Sequence, residues 1–165
     1  MVKIGDVFEI PLSDGSFAYG QFVFKDSKIG PLIQIFDLIS KNKINIEQLG
    51  SVGSLFPPII TGLFAAIRTG MWKIIGRKAI KGFVYPNFVS TFFDDRTGKA
   101  GVWFLWNGKE SIRLGSRLPD EYKKLEYLMV WSPQDVVKRI ETGEYPFPYR
   151  ELIQNNKFQP KVKQI

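Results

Sequence analysis

The chain has 165 residues, of which 44% are hydrophobic, 24% charged and 15% aromatic, and its formal net charge is +7. This composition predicts a folded protein with one hydrophobic core, because a disordered chain would be richer in polar residues and poorer in aromatic ones. Cysteine and histidine are both absent, which excludes disulfides, thiolate nucleophiles, imidazole proton shuttles and metal sites built from thiolate or imidazole ligands.

The N-terminal segment does not resemble a secretion signal. Residues 1–10 contain Lys3, Asp6 and Glu9 among their apolar residues, so they lack the continuous apolar stretch of a signal peptide. The uncharged stretch over residues 48–67 is interrupted by glycine and proline, which argues against a membrane-spanning helix. We therefore expect a soluble, cytoplasmic protein, and the absence of cysteine fits such a reducing compartment.

The first predicted element is a β-hairpin. Residues 7–10 and 17–24 alternate large apolar side chains with others, and a turn cluster with Asp-Gly at its centre lies between them. Residues 32–38 are too continuously apolar for a half-exposed strand, so they are predicted as a central strand buried on both faces. Residues 40–56 are polar and contain glycine, and they are predicted as a loop.

The apolar segment after Pro57 and Pro58 leaves two interpretations open. Residues 59–67 begin like a strand, whereas their second half could form a helical turn or two, and length alone does not decide between them. Residues 72–76 have the alternating pattern of a short strand.

The second half of the chain predicts a three-stranded meander. Its strands are residues 88–93, 101–106 and 109–114. A glycine-bearing loop joins the first two strands, and Asn107 and Gly108 form the hairpin turn between the second and the third. Residues 125–131 are predicted as one further strand.

The clearest helix signal starts at Ser132. Ser132 is a typical N-cap, Pro133 suits the first helical position, and Asp135 places an acid in the first turn before an apolar stripe. Residues 149–155 could add a turn or two, and residues 156–165 are expected to be frayed.

Together these elements predict a mainly β fold with one short C-terminal helix. Short, regularly spaced strands favour a curved antiparallel sheet or an SH3-like, partly closed barrel, and a two-sheet sandwich is the main alternative. No linker or repeat divides the chain, so residues 1–165 are expected to form a single domain. Within it, residues 1–118 would form the β core and residues 119–155 would add a strand and the helix.

Candidate catalytic groups are few. Asp94 and Asp95 are adjacent, and two carboxylates could act as acid and base or hold a hard cation. Their position at the start of a hairpin loop is more typical of turn residues. No glycine-rich phosphate loop and no nucleophile motif is present. We therefore predict a protein that is not an enzyme, without catalytic residues, cofactor or metal site.

Positive charge is distributed unevenly along the chain. No acidic residue occurs over residues 48–93, which carry five basic residues, and the tail after Glu151 adds three more. A localised basic surface could meet phosphate, an acidic protein face or water. Because aromatic residues are interleaved with the basic ones, a small basic β-barrel that binds nucleic acid is the alternative function.

Several segments resemble the immunity protein 26 family. In the first third of the chain they are residues 3–12 (KIGDVFEIPL), 17–21 (FAYGQ) and 30–33 (GPLI). Further on they are residues 72–76 (WKIIG) and 85–88 (YPNF). The resemblance covers about the first two thirds of the chain and does not extend beyond Leu118.

This resemblance implies an antidote of a bacterial polymorphic toxin system. Such proteins are cytoplasmic and mostly β, and they bind a cognate toxin domain without catalysis. Tight interfaces usually bury about 1,600 Å² around a few aromatic or arginine anchors. The candidate anchors in this sequence are Tyr85, Trp103, Trp106, Arg113 and Arg117. Inhibitors of nucleic-acid-cleaving toxins are expected to be acidic, so the positive charge favours another class of toxin or an acidic partner face.

Overall fold

The computed structural model describes residues 1–160 and confirms a mainly β protein. The strands are β1 (Asp6–Pro11), β2 (Phe17–Asp26), β3 (Gly30–Phe36), β4 (Ser54–Thr61), β5 (Lys73–Arg77), β6 (Phe88–Phe93), β7 (Ala100–Trp106), β8 (Ser111–Gly115), β9 (Glu126–Tyr127) and β10 (Val130–Trp131). The α-helices are α1 (Leu63–Arg68), α2 (Pro133–Thr142) and α3 (Tyr149–Asn155), and short 3-10 helices cover Ile46–Leu49 and Asp120–Tyr122.

The strands form two sheets, each within its own compact unit of the chain. Unit 1 comprises Met1–Val84 and Met129–Glu144, and unit 2 comprises Tyr85–Leu128 with the described chain from Tyr145 onward. The strand order is β10-β4-β3-β2-β1-β5 in unit 1 and β8-β7-β6-β9 in unit 2. Each sheet is antiparallel except for one parallel edge strand, β10 beside β4 and β9 beside β6. The strands thus form two open, mixed sheets, whereas the sequence favoured one curved antiparallel sheet or a partly closed barrel.

The N-terminal hairpin and the central strand are confirmed. β1 pairs antiparallel with β2, and in the turn between them the Asp14 carboxylate accepts a hydrogen bond from the Ser16 amide at 2.9 Å. Gly15 adopts a φ of +85° in the same turn, which glycine does without steric cost. β3 lies between β2 and β4. Its buried apolar side chains are Leu32, Ile33, Ile35 and Phe36.

The segment around Pro57 and Pro58 forms both a strand and a helix. β4 already begins at Ser54, so the predicted loop ends earlier than expected and both prolines lie within the strand. Prolines are tolerated there because the pairing with β3 is irregular, with a register shift between Ile33 and Ile35. The chain then enters α1, so each of the two open interpretations holds for part of the segment.

The single strand predicted over residues 125–131 is instead two short strands in different sheets. Glu126–Tyr127 pairs in parallel with β6, and Val130–Trp131 pairs in parallel with β4. The apolar pattern correctly indicated extended backbone. It was wrong about continuity, because local periodicity carries no information about which strand will be the neighbour.

The predicted helix after Ser132 is confirmed as α2. The Ser132 hydroxyl accepts a hydrogen bond from the Asp135 amide at 3.1 Å, and Gly143 closes the helix with a φ of +78°. The Arg139 guanidinium, which is buried, lies 4.0 Å from the centroid of the Phe56 ring. None of the helices within residues 1–160 combines the length and the apolar character needed to cross a bilayer.

α3 continues into packed structure. Asn156 ends the helix with a φ of +56°, and Phe158 is buried in the core of unit 2. Of the tail predicted to be frayed, residues 161–165 lie outside the described residues.

Candidate functional site

The five predicted partner-binding residues all belong to unit 2. Tyr85 precedes β6, Trp103 and Trp106 belong to β7, Arg113 belongs to β8, and Arg117 follows β8. The three strands form the predicted meander, with β7 between β6 and β8. Because successive side chains on a strand point to opposite faces, the sheet divides these residues into two groups.

One face of this sheet, the inner face, forms the core of unit 2. Val89 on β6 lies opposite Leu105 on β7, and Thr91 lies opposite Trp103. The apolar members of these pairs are buried in one cluster with side chains of α3, among them Leu152. Burial of this apolar surface is the main source of stability for the meander.

Trp103 belongs to the inner face and not to the protein surface. Its side chain is fully buried, and its indole Nε1 donates a hydrogen bond to Asn156 Oδ1 at 2.7 Å. Asn156 Nδ2 in turn donates to the Ser116 carbonyl oxygen at 3.0 Å. A side chain held in this way packs the core, so this structure gives Trp103 no surface with which to anchor a partner.

The opposite face, the outer face, carries two cross-strand rows of side chains. Residues directly opposite each other in an antiparallel pair share a face. The rows are Phe88–Trp106–Ser111 and Ser90–Phe104–Arg113. The outer face therefore holds Trp106 and Arg113 of the predicted anchors, together with Phe104.

Tyr85 packs against the first of these rows. Trp106 Nε1 donates a hydrogen bond to the Tyr85 hydroxyl at 3.0 Å, and the Tyr85 ring meets the Phe88 ring edge-on, with 6.4 Å between centroids. Gly108 in the hairpin turn lies so close to the same ring that a Cβ atom at this position would stand 2.8 Å from Tyr85 Cδ1. Tyr85 and Trp106 are both half-buried and form one hydrogen-bonded aromatic pair.

The second row lies at a more exposed part of the outer face. Arg113 is exposed, Phe104 and Val102 are half-buried, and Phe92 is 85% exposed. Val102 shares the face of Phe104 because the two are two residues apart, and Phe92 projects away from the inner cluster that its neighbour Phe93 joins. We call Phe92, Val102, Phe104 and Arg113 the outer patch. No residue of the described chain forms an ion pair with Arg113.

Further positive charge flanks β8 at both ends. Lys109 is exposed in the turn before the strand, where Asn107 Oδ1 accepts hydrogen bonds from the amides of Lys109 and Glu110 at 2.9 Å each. Arg117 is exposed in the segment that follows the strand. From residue 99 to residue 117 the chain carries four basic residues and one acidic residue. This hairpin therefore has a net positive charge.

Phe92 and Phe104 on the outer face are not among the residues that the sequence proposed. The useful signal was the period of the strand: Trp103 and Trp106 are three residues apart and face opposite sides, whereas Phe104 and Trp106 share a side. Aromatic residues were chosen by type, without assignment to a face, and Trp103 is the one of them that the structure places on the buried face.

Asp94 and Asp95 lie in the loop between β6 and β7. Asp94 Oδ1 accepts hydrogen bonds from the amides of Arg96 at 2.7 Å and Thr97 at 3.4 Å, which is the usual role of aspartate in a turn. Within residues 1–160 no group of three or more acidic side chains is placed to hold a metal ion. The geometry accounts for Asp94 as a loop-forming residue.

Comparison with known proteins bears on the resemblance seen in the sequence. The family model described as Immunity protein 26 matches residues 3–94, a range that contains β1 to β6. Searches of curated proteins and of solved structures returned no match. The matched range is more than half of the 165 residues, and the chain therefore belongs to the immunity protein 26 family.

Proposed function

We propose that this protein binds and neutralises a cognate bacterial toxin domain by a non-catalytic protein–protein interaction in the cytoplasm. The observation that carries the proposal is the match of residues 3–94 to the immunity protein family. Membership implies an immunity role in general. From that role we infer that this protein neutralises a toxin, that it is located in the cytoplasm and that it acts without catalysis.

The proposed mechanism is occlusion of the toxin's active site by a preformed surface. The side chains of Tyr85 and Trp106 are held by their hydrogen bond before a partner binds, and this ordering lowers the entropic cost of binding. Central aromatic and arginine side chains usually contribute most of the binding energy in such interfaces. Tyr85, Trp106, Arg113 and Arg117 therefore remain candidate anchors, whereas Trp103 is a core residue.

The proposal is tested by searching the genes that neighbour the one for this chain for a large secreted protein with a variable C-terminal domain, and by expressing that domain as the candidate toxin. Expression of that domain alone should arrest growth of a host cell, and co-expression of this protein should restore it. The two purified proteins should co-elute in size-exclusion chromatography, with a dissociation constant at or below about 1 nM, or −12 kcal/mol.

A toxin domain from an unrelated system is the matched control and should still arrest growth. Continued arrest by the cognate domain in cells that contain soluble protein, together with the absence of a complex, would refute the proposed function.

Nucleic-acid binding is the second candidate, favoured by the net charge of +7 and by exposed basic residues of unit 1. These residues are Arg68, Lys73, Arg77 and Lys81. RNA retained at ~150 mM salt, with a steep loss of affinity as salt is added, would support this candidate. If the protein also failed to bind the toxin domain, nucleic-acid binding would replace the proposal.

A further inference from the structure

We propose that the outer patch of unit 2 is the surface that docks the toxin, and that it fits an acidic, partly apolar face of that protein. In this arrangement a carboxylate of the toxin pairs with Arg113, and an apolar side chain of the toxin packs on Phe104. The inference rests on the proposed function, because it names the surface and the partner chemistry of the same interaction.

The outer patch groups apolar side chains at an exposed site. Phe92 is 85% exposed, and Val102 and Phe104 on the same face are only half-buried. The inner face already supplies the core of unit 2, so packing within that core does not require a phenylalanine at position 92. Apolar side chains grouped on an exposed face and flanked by polar residues are typical of a protein interaction site.

Arg113 is the charged member of the outer patch. It lies directly opposite Phe104 in the β7–β8 register, which places the two side chains next to each other on one face. Within residues 1–160 no carboxylate pairs with it, so its guanidinium donors are available to a partner. A guanidinium beside an aromatic ring is suited to bind a carboxylate in two-point geometry while the ring excludes water. Arginine and aromatic residues are also enriched among interface hot spots.

The charge around the patch favours an acidic partner over a basic one. Lys109 and Arg117 are exposed at the two ends of β8, and Glu110 is the only acidic residue from position 99 to position 117. The β6–β7 loop adds the acidic pair Asp94 and Asp95, but from residue 94 to residue 117 the chain carries five basic and three acidic residues, so the net charge stays positive. A positive surface speeds association with an acidic face and disfavours a basic one.

The experiment measures the dissociation constant of the cognate toxin domain with charge-reversal variants of the full-length protein. Arg113→Glu should raise the dissociation constant at least about 30-fold, which corresponds to the energy of a binding hot spot. The matched control is Arg150→Glu, which reverses an exposed arginine of α3, the helix whose apolar side chains join the inner cluster. This control should leave the dissociation constant within about threefold of the wild-type value.

A second variant tests the apolar part of the patch. Phe92→Ser changes a side chain that is almost fully exposed, so the protein should fold normally, and we expect about tenfold weaker binding. Circular dichroism and the midpoint of urea unfolding verify that all three variants are folded.

The outcomes separate the inference from the proposed function. A wild-type protein that does not bind the toxin domain refutes the proposed function and the inference with it. Tight binding by the wild-type protein and unchanged binding by both Arg113→Glu and Phe92→Ser overturns the inference alone. Loss of RNA binding but not of toxin binding in Arg113→Glu would also overturn it, because the patch would then be a nucleic-acid surface. Recovery of affinity when a toxin carboxylate is replaced by lysine would identify the partner of Arg113.

Discussion

One step along β7 decides whether an aromatic side chain belongs to the core or to the surface. Trp103 is fully buried and donates to Asn156, whereas the adjacent Phe104 lies on the outer face opposite Arg113. Residue type does not distinguish the two positions, since both are large aromatic residues in the same strand. The assignment of Trp103 to the core can be tested directly.

We expect Trp103→Phe to lower the free energy of unfolding by about 1–3 kcal/mol, because it removes indole volume and the hydrogen bond to Asn156. Urea unfolding measures the loss. The folded variant should bind the toxin domain with wild-type affinity. Unchanged stability combined with a large loss of affinity would contradict the core assignment.

Gly108 is constrained by its backbone and by its surroundings. Its φ is +92°, and a Cβ there would stand 2.8 Å from Tyr85 Cδ1. Gly115 has a φ of +109° but no contact that a Cβ would violate, so it isolates the backbone effect. We expect Gly108→Ala to cost about 2–4 kcal/mol of stability and Gly115→Ala about 1–2 kcal/mol. If urea unfolding gave the two variants equal losses of unfolding free energy, the Tyr85 ring would be able to move aside without an energetic cost.

Tyr127 should make unit 2 sensitive to high pH. Burial raises the pKa of its hydroxyl above the ordinary value of 10.0, an effect that a backbone hydrogen bond with Thr91 opposes. The hydroxyl also donates to the Thr91 carbonyl oxygen at 2.7 Å. The pKa of Tyr127 is therefore higher in the folded state than in the unfolded state. The stability that the protonated hydroxyl contributes is complete below about pH 10 and is lost as the pH rises through the folded-state pKa.

The urea midpoint is therefore expected to fall above about pH 10, and to fall less steeply in Tyr127→Phe, which has no titratable hydroxyl. The two proteins are compared at matched pH values. The same steepness in both would contradict a contribution from Tyr127.

Among the elements, α2 follows its sequence signals most closely. The Ser132 hydroxyl accepts a hydrogen bond from the Asp135 amide at 3.1 Å. We expect Ser132→Ala to lower the free energy of unfolding by about 1 kcal/mol, and Ser132→Asp, which keeps an acceptor at the helix N-terminus, to change it by less than about 0.5 kcal/mol. Amide hydrogen exchange along the helix measures both effects. Wild-type protection in Ser132→Ala would show that the cap does not stabilise the helix.

Elements whose signals lie in adjacent residues were predicted closely. β6 occupies the residues expected of it, and the turn at Asn107 and Gly108 joins the predicted strands β7 and β8. The segment over residues 125–131 was predicted less well, because its two halves pair with strands in different sheets. The candidate site shows the same limit: the sequence proposed Arg113 as an anchor, but the position of Phe104 beside it became evident only from the register.

At the level of the whole chain, each unit is assembled from segments that are distant in sequence. The family-matched range, residues 3–94, contains β1 to β6. β10 and α2 of unit 1 come from Met129–Glu144, and β6 pairs with β7 and β9. A fragment ending at residue 94 would therefore lack an edge strand and a helix of unit 1, and its β6 would have no neighbours.

We expect this fragment to lose cooperative thermal unfolding, measured by near-ultraviolet circular dichroism, because incomplete units bury too little apolar surface. A fragment ending at residue 144 contains all of unit 1 and should keep the cooperative transition of that unit. A cooperative transition in the shorter fragment would instead show that the family-matched range folds by itself.

The sequence alone indicated the mainly β class, the turns, the helix cap and the family. Each of these depends on residue types that are close together in the chain. Only the tertiary structure decided how the strands divide between two sheets and which aromatic side chains reach the surface. Those outcomes depend on which distant segments become neighbours. The Thr61 hydroxyl, for example, donates to the carbonyl oxygen of Trp131, 70 residues further along the chain. Local periodicity cannot specify a partner at such a separation, since it records only which positions of one strand share a face.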